Sequence, residues 1–136
     1  MFLITFLKKT NVIVSSRVED LEKTNFIVLP GVGSFSDFID GINAINGMRD
    51  ALNYFVLEKG IPFLGICVGM QLLATKSYEK GVHAGLNWIP GKVRKILNTK
   101  KNLKVPHMGW NKLKFCKEND FITNLGKKQD LNKDVS

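Results

Sequence analysis

The stretch IPFLGICVGMQLL, residues 61–73, sets a lone cysteine between two glycines where an apolar run gives way to a helical pattern. The run over 61–66 predicts a buried strand, and Val68 to about Ser77 predicts the helix after it. Gly-x-Cys-x-Gly at such a junction has the form of a nucleophile elbow, a tight turn whose glycines permit close approach of strand and helix. Cys67 is therefore the candidate nucleophile, and a buried structural cysteine is the alternative interpretation.

Strand and helix patterns alternate along the first 77 residues, which favours an α/β fold with an open, mainly parallel sheet covered by helices. The patterned segments are a strand over 11–14, a short helix begun by a capping box of Ser16 and Glu19, a buried strand over 25–30, and a helix over 48–60 that Gly60 stops. After about residue 88 the pattern predicts an antiparallel region of partly exposed strands. We predict one domain over 1–136 with a frayed tail at about 126–136.

The net charge of +8 is concentrated in one part of the chain. Residues 91–136 hold 12 Lys/Arg and 4 Asp/Glu, whereas residues 1–90 hold 8 of each. Such an excess fits an acidic partner, a phosphorylated substrate or nucleic acid. The lysines are scattered and no nucleic-acid-binding motif accompanies them, so a solvated Lys-rich face is the preferred interpretation and no nucleic-acid partner is predicted.

Two further classes of protein are disfavoured by the composition. No apolar run approaches the roughly 20 residues that a membrane-spanning helix needs, so we expect no membrane association. The two cysteines, Cys67 and Cys116, make neither a disulfide framework nor a metal-ligand spacing. The expectation is a cytoplasmic protein without a bound metal or cofactor.

A cysteine that attacks a carbonyl group needs hydrogen-bond donors for the oxyanion that forms. The N–H of Val68 is one candidate, and the glycine turn PGVGSF at 30–35 supplies others from Gly31 to Gly33. Because parallel strands meet at one edge with their carboxyl ends, we expect this turn beside Cys67. A nucleotide-binding loop, which lacks its third glycine here, and a plain strand–helix turn remain alternatives.

Four segments together carry a family resemblance: LPGVGSF, PFLGICVGMQLL, GLNWIPGKV and KVPHMGWN, within about Asn11 to Phe115. In this order they resemble the glutaminase subunits of imidazole glycerol phosphate synthase, a branch of the class I (triad) glutamine amidotransferases, and PHMGWN after WIPGKV is specific to that branch. The resemblance implies the α/β fold of the class and a function in histidine biosynthesis. Cys67 would attack the side-chain amide of L-glutamine, release ammonia and leave a glutamyl thioester for water to hydrolyse.

The resemblance also assigns residues to glutamine binding. Gln71 matches the position that contacts bound glutamine. Gly31 and Val32 match the family's oxyanion strand, with Gly33 beside it, and the Val68 N–H completes the set of donors.

The PHMGWN segment corresponds to the face that meets a barrel-shaped cyclase subunit. Met108, Trp110 and Asn111 are therefore candidates for a partner interface, with ordinary core packing as the alternative. The implied partners are L-glutamine and the cyclase subunit.

The general base of the family is a histidine followed two residues later by a glutamate. His83 precedes GLNW and His107 lies in PHMGWN, so neither matches, and the 136 residues contain no His-x-Glu. The resemblance therefore implies the N-terminal two-thirds of the family's chain, trimmed at both ends, with a nucleophile but no base. Three hypotheses stay open: the histidine-pathway glutaminase subunit, a paralogue that supplies ammonia for amidination of a surface sugar, and a catalytically dead chain that only binds a partner.

Overall fold

The computed structural model describes residues 11–97 and Gly109. The chain divides into two compact units, Met1–Lys95 and Ile96–Ser136, and every element named below belongs to the first unit. The helices in chain order are a 3₁₀ helix over Val18–Lys23, α1 over Phe35–Ala44, α2 over Met48–Asn53 with a π-helical extension over Tyr54–Glu58, and α3 over Val68–Gln71. The strands are β1 over Ile27–Gly31, β2 over Phe63–Cys67, β3 over Ala74–Ser77, β4 over His83–Ala84 and β5 over Ile89–Val93.

Strands β1 and β2 form a parallel pair, as the two apolar runs predict. The prediction that both strands are buried is wrong, because no residue of β2 is buried and only Ile27 and Gly31 of β1 are. The register runs from Ile27 opposite Phe63 to Gly31 opposite Cys67, so both strands end at the same edge. The α/β class and the helix predicted over 48–60 are confirmed, although its last turn is π-helical. The prediction of one domain over 1–136 stays a prediction.

The core lies between the β1–β2 pair and the helices. Ile27 of β1 belongs to this core. The other buried apolar side chains come from the three α-helices, from the residue directly after α3 and from the segment that follows β4. They are Phe35, Ile39, Ile42, Met48, Leu52, Val68, Leu72 and Leu86. Ser34 caps the start of helix α1, because its side-chain oxygen accepts a hydrogen bond from the Asp37 N–H at 3.2 Å.

The helix predicted from Val68 to about Ser77 is wrong beyond Gln71. After a turn the chain enters β3, which pairs with β4 on one side and β5 on the other. The N–H of Leu86 donates to the Leu72 carbonyl at 2.7 Å, and the N–H of Trp88 donates to the Leu73 carbonyl at 3.0 Å. These distant partners satisfy backbone groups that would otherwise favour continued helix, so tertiary pairing overrides the local pattern.

The antiparallel region predicted after about residue 88 extends into residues outside the described chain, so it stays a prediction. Strand β5 runs parallel to β3, with Ser77 opposite Val93. The antiparallel pairing lies earlier, between β3 and β4, with Ser77 opposite His83. A tight turn between β3 and β4 reverses the chain there. The chain reverses again between β4 and β5, so β5 runs in the same direction as β3.

Two predictions near the start of the described chain are wrong as well. Residues 11–14 are not a strand, because none of the strands described here pairs with them. The capping box of Ser16 and Glu19 does not form. The first helix is a 3₁₀ turn that starts at Val18 after Arg17, which makes no side-chain cap. Over residues 11–97, no helix has the length and apolar character needed to cross a bilayer.

Candidate active site

Cys67 is both the last residue of β2 and the residue that precedes the first turn of α3. Its backbone has φ 56° and ψ −117°, a left-handed conformation that non-glycine residues rarely adopt. The thiol is free and the residue is exposed. The predicted turn between strand and helix at Cys67 is therefore confirmed, and the structure adds that its backbone is strained. The role of Cys67 as nucleophile stays a prediction.

The glycines on each side of Cys67 are required by close backbone contact. A Cβ atom on Gly65 would lie 2.6 Å from the Gly69 carbonyl oxygen and 2.7 Å from the Met70 Cα. A Cβ atom on Gly69 would overlap the Leu29 carbonyl oxygen. Strand β1, strand β2 and the first turn of α3 thus meet with no room for side chains, which explains the Gly-x-Cys-x-Gly spacing.

The glycine turn after β1 lies directly beside the cysteine. Gly31 is paired with Cys67, and a Cβ atom on Gly31 would lie 2.6 Å from the Gly69 nitrogen and 2.9 Å from the Val68 Cβ. The next two residues, Val32 and Gly33, are exposed, and Gly33 has φ 122°. The glycine turn therefore begins opposite Cys67 at the carboxyl edge of the parallel pair.

Helix α3 contributes the other predicted donor and the predicted glutamine contact. Val68 is its first residue, where a helix provides no internal acceptor for the backbone N–H. Gln71 is its last residue and is half-buried. Helix α3 has only four residues, about one turn, instead of the longer helix that the sequence predicts.

The Glu79 carboxylate, for which the sequence predicts no role, binds the start of α1 just after the glycine turn. Glu79 Oε2 accepts a hydrogen bond at 2.9 Å from the N–H of Phe35, the first residue of α1 after the glycine turn. The Glu79 N–H in turn donates to the Ser77 Oγ at 3.1 Å, and Ser77 is fully buried. Glu79 thereby links the segment after β3 to the chain just beyond Gly33. A lone glutamate in a polar turn carries no sequence signal for such a contact.

His83 does not join the elements that hold Cys67. It lies in β4, in the second sheet, and its Nε2 atom is buried without a hydrogen-bond partner within residues 11–97. His107 and the proposed interface residues Met108, Trp110 and Asn111 lie outside the described residues. Within the described chain no group of His, Cys, Asp and Glu side chains has the arrangement of a metal site.

Comparison with known proteins identifies the family. Residues 5–132 match the model of the glutamine amidotransferase class-I family. The chain belongs to this family. The predicted family and fold class are thus confirmed.

Three similar relatives carry the name imidazole glycerol phosphate synthase subunit HisH. The subunit of Pelagibacter ubique is 41% identical over 123 residues, which cover 90% of this chain and 59% of that one. The subunit of Zymomonas mobilis is 49% identical over 107 residues, covering 79% and 50% respectively. The subunit of Rhodopseudomonas palustris is 45% identical over 114 residues, covering 84% and 53%. The chain therefore spans between half and three-fifths of the length of these relatives.

The strained backbone at Cys67 leads to a stability prediction. Cys67→Gly and Cys67→Ala both remove the thiol, but only glycine adopts φ 56° without a Cβ clash. We expect the free energy of unfolding of the glycine variant to exceed that of the alanine variant by about 1 kcal/mol. The relief of backbone strain outweighs the extra conformational entropy that glycine gives the unfolded chain. Urea denaturation followed by circular dichroism measures the difference. Equal stabilities would mean that the junction is not strained.

Proposed function

We propose that this chain is a glutamine amidotransferase subunit in which Cys67 attacks the side-chain amide of L-glutamine. The observation that carries the proposal is the exposed, strained Cys67 directly opposite Gly31 at the carboxyl edge of the parallel strands. A nucleophile and a turn of backbone N–H groups in that relation are what attack on a carbonyl requires.

The chemistry follows from this placement. The Cys67 thiolate adds to the amide carbon, and the carbonyl oxygen becomes an oxyanion that accepts hydrogen bonds from the Val68 N–H and the glycine turn. Collapse of this tetrahedral intermediate breaks the carbon–nitrogen bond and releases ammonia only when the leaving nitrogen is protonated, a step for which residues 1–136 contain no His-x-Glu. Water then hydrolyses the glutamyl thioester to glutamate and returns the thiol. Gln71, one turn along α3, contacts the bound glutamine.

The names of the relatives support a specific acceptor for the ammonia. We propose that the chain acts with the barrel-shaped cyclase subunit of imidazole glycerol phosphate synthase in histidine biosynthesis. Met108, Trp110 and Asn111 in the PHMGWN segment are the proposed contacts with that subunit. Large apolar and aromatic residues of this kind often dominate the binding energy of an interface.

Substrate protection tests the proposed glutamine site. Iodoacetamide is a small neutral reagent that alkylates accessible thiols, and bound glutamine would cover the Cys67 sulfur. We expect saturating L-glutamine to slow alkylation of Cys67 by about tenfold, which corresponds to near-complete occupancy of the site. Alkylation of Cys116 should be unchanged.

Peptide mass spectrometry after timed alkylation separates the two cysteines, and a Cys116→Ala variant provides the matched control. L-asparagine, one methylene shorter, should protect poorly because its amide does not reach the thiol. The proposal fails if L-glutamine does not protect Cys67, or if L-asparagine protects it equally.

A further inference from the structure

Four side chains in strands β3 and β5 or one residue beyond them form a basic cluster, which we call the Tyr78 block: Lys76, Tyr78, Lys92 and Arg94. Lys76 is opposite Lys92 in the parallel β3–β5 pair. The N–H of Tyr78 donates to the Val93 carbonyl at 3.0 Å, so the pairing continues past Ser77. Because side chains alternate along a strand, all four stand on the same face of the sheet, and the buried Ser77 points to the other.

The cations of the block gather around the phenol ring. The Lys76 Nζ lies 5.5 Å from the centre of the Tyr78 ring, and the Arg94 Cζ lies 5.4 Å from it. Tyr78 nevertheless keeps 41% of its surface exposed. Lys92 and Arg94 are also exposed. The block therefore presents three positive charges and a hydroxyl group to the surroundings.

No acidic side chain within residues 11–97 neutralises this block. The ion pair found in that part of the chain joins Arg17 and Glu19. Glu79, the nearest carboxylate in sequence, instead accepts the Phe35 N–H. The Lys76 ammonium beside the phenol, together with the charges of Lys92 and Arg94, holds the pKa of Tyr78 below its ordinary value of 10.0. Like charges directly opposite each other in a sheet are destabilising. The repulsion between Lys76 and Lys92 therefore lowers the stability of the fold, and a negative charge from a partner would reduce that repulsion.

The neighbours of the block favour a protein over a phosphate group as that partner. Ala84 of β4 is paired with Lys76 on the same face and is exposed. Val82, just before β4, is 69% exposed. A phosphate gains nothing from such apolar surface, whereas protein interfaces combine Arg and Tyr with small apolar contacts.

We propose that the Tyr78 block is a docking surface for an acidic face of the cyclase subunit, a proposal that rests on the proposed function. Carboxylates of the partner would pair with Lys92 and Arg94 and offset the repulsion between Lys76 and Lys92. Such complementary charges speed association and select the partner, and juxtaposed like charges disfavour binding strongly. This surface is separate in sequence from the PHMGWN segment.

Charge reversal tests the proposal on the full chain with the cyclase subunit of the same organism. We expect Lys92→Glu with Arg94→Glu to weaken the complex at least about tenfold by calorimetry, because carboxylates would face carboxylates. The matched control is Lys23→Glu with Lys59→Glu, which changes the net charge equally at exposed lysines elsewhere and should leave the Kd within about twofold. Lys92→Gln with Arg94→Gln, which introduces no new charge, should cause a smaller loss in the same direction.

The outcomes separate the two proposals. Equal Kd values for the wild type and both Lys92/Arg94 variants would overturn the docking surface and leave the proposed partner intact. A wild-type chain that does not bind the cyclase subunit would overturn both. A third outcome would replace the docking surface with an anion site. In that case the wild type binds inorganic phosphate, the Lys92/Arg94 variants do not, and all of them bind the cyclase subunit equally well.

Discussion

Replacing Gly69 with alanine should lower the free energy of unfolding by about 3 kcal/mol, the upper range for an overpacked interior. The added Cβ would overlap the Leu29 carbonyl oxygen and lie 3.0 Å from the Leu29 carbonyl carbon. Backbone atoms of a paired strand cannot rotate away as a flexible side chain can. The variant can relieve the clash only by separating α3 from β1, which would also displace the Cys67 junction.

A glycine elsewhere in the chain provides the matched control. Gly41 lies inside α1, and a Cβ there meets no atom within 4 Å outside its own helix. Gly41→Ala should therefore raise the free energy of unfolding by about 0.5–1 kcal/mol, since alanine is the better helix former. Urea denaturation of both variants measures the contrast. Similar stabilities for the two variants would show that β1 and α3 do not approach as closely as described.

The second large effect concerns turnover. We expect this 136-residue chain to hydrolyse glutamine at a rate near background, even with the cyclase subunit present. The leaving ammonia must be protonated and the attacking water deprotonated, and the chain contains no His-x-Glu to perform these steps. Removal of a general acid–base group typically slows a reaction about 10²–10⁴-fold.

A coupled assay for glutamate measures this rate, with Cys67→Ala as the blank. His83 and His107 are the two histidines of these 136 residues, so His83→Ala and His107→Ala test whether either acts as the base. Robust turnover that Cys67→Ala abolishes would contradict the prediction. Loss of that turnover in one of the histidine variants would then identify the base.

The part of the fold that local sequence determines was predictable. Glycines around Cys67 are needed wherever a strand and a helix approach at a strained turn, so the pattern alone predicts the junction. The pairing of Gly31 with Cys67 follows because two apolar runs form neighbouring parallel strands, which end at one edge of the sheet. The first feature can be predicted from five consecutive residues. The second can be predicted from two local strand patterns and the general geometry of parallel sheets.

The features that were missed depend on residues distant in the chain. Ala74–Ser77 continues a helical pattern, and only its ladders with β4 and β5 make it a strand. Residues 11–14 have a strand pattern, but a strand also needs a hydrogen-bonding partner. The contact of Glu79 with Phe35 joins residues 44 positions apart, and no local pattern specifies it.

Covalent trapping by a glutamine analogue tests most directly whether Cys67 is a nucleophile toward glutamine. The diazoketone 6-diazo-5-oxo-L-norleucine places an electrophilic carbon near the position of the glutamine amide. The thiol proton passes to the diazo carbon, and the thiolate then displaces dinitrogen and leaves a stable thioether. We predict one adduct per chain, located at Cys67 by peptide mass spectrometry. Its rate should saturate with reagent concentration and fall when L-glutamine is added, and Cys67→Ala should form no adduct. An adduct that forms equally at Cys116, or equally with the D-enantiomer, would contradict a glutamine site at Cys67.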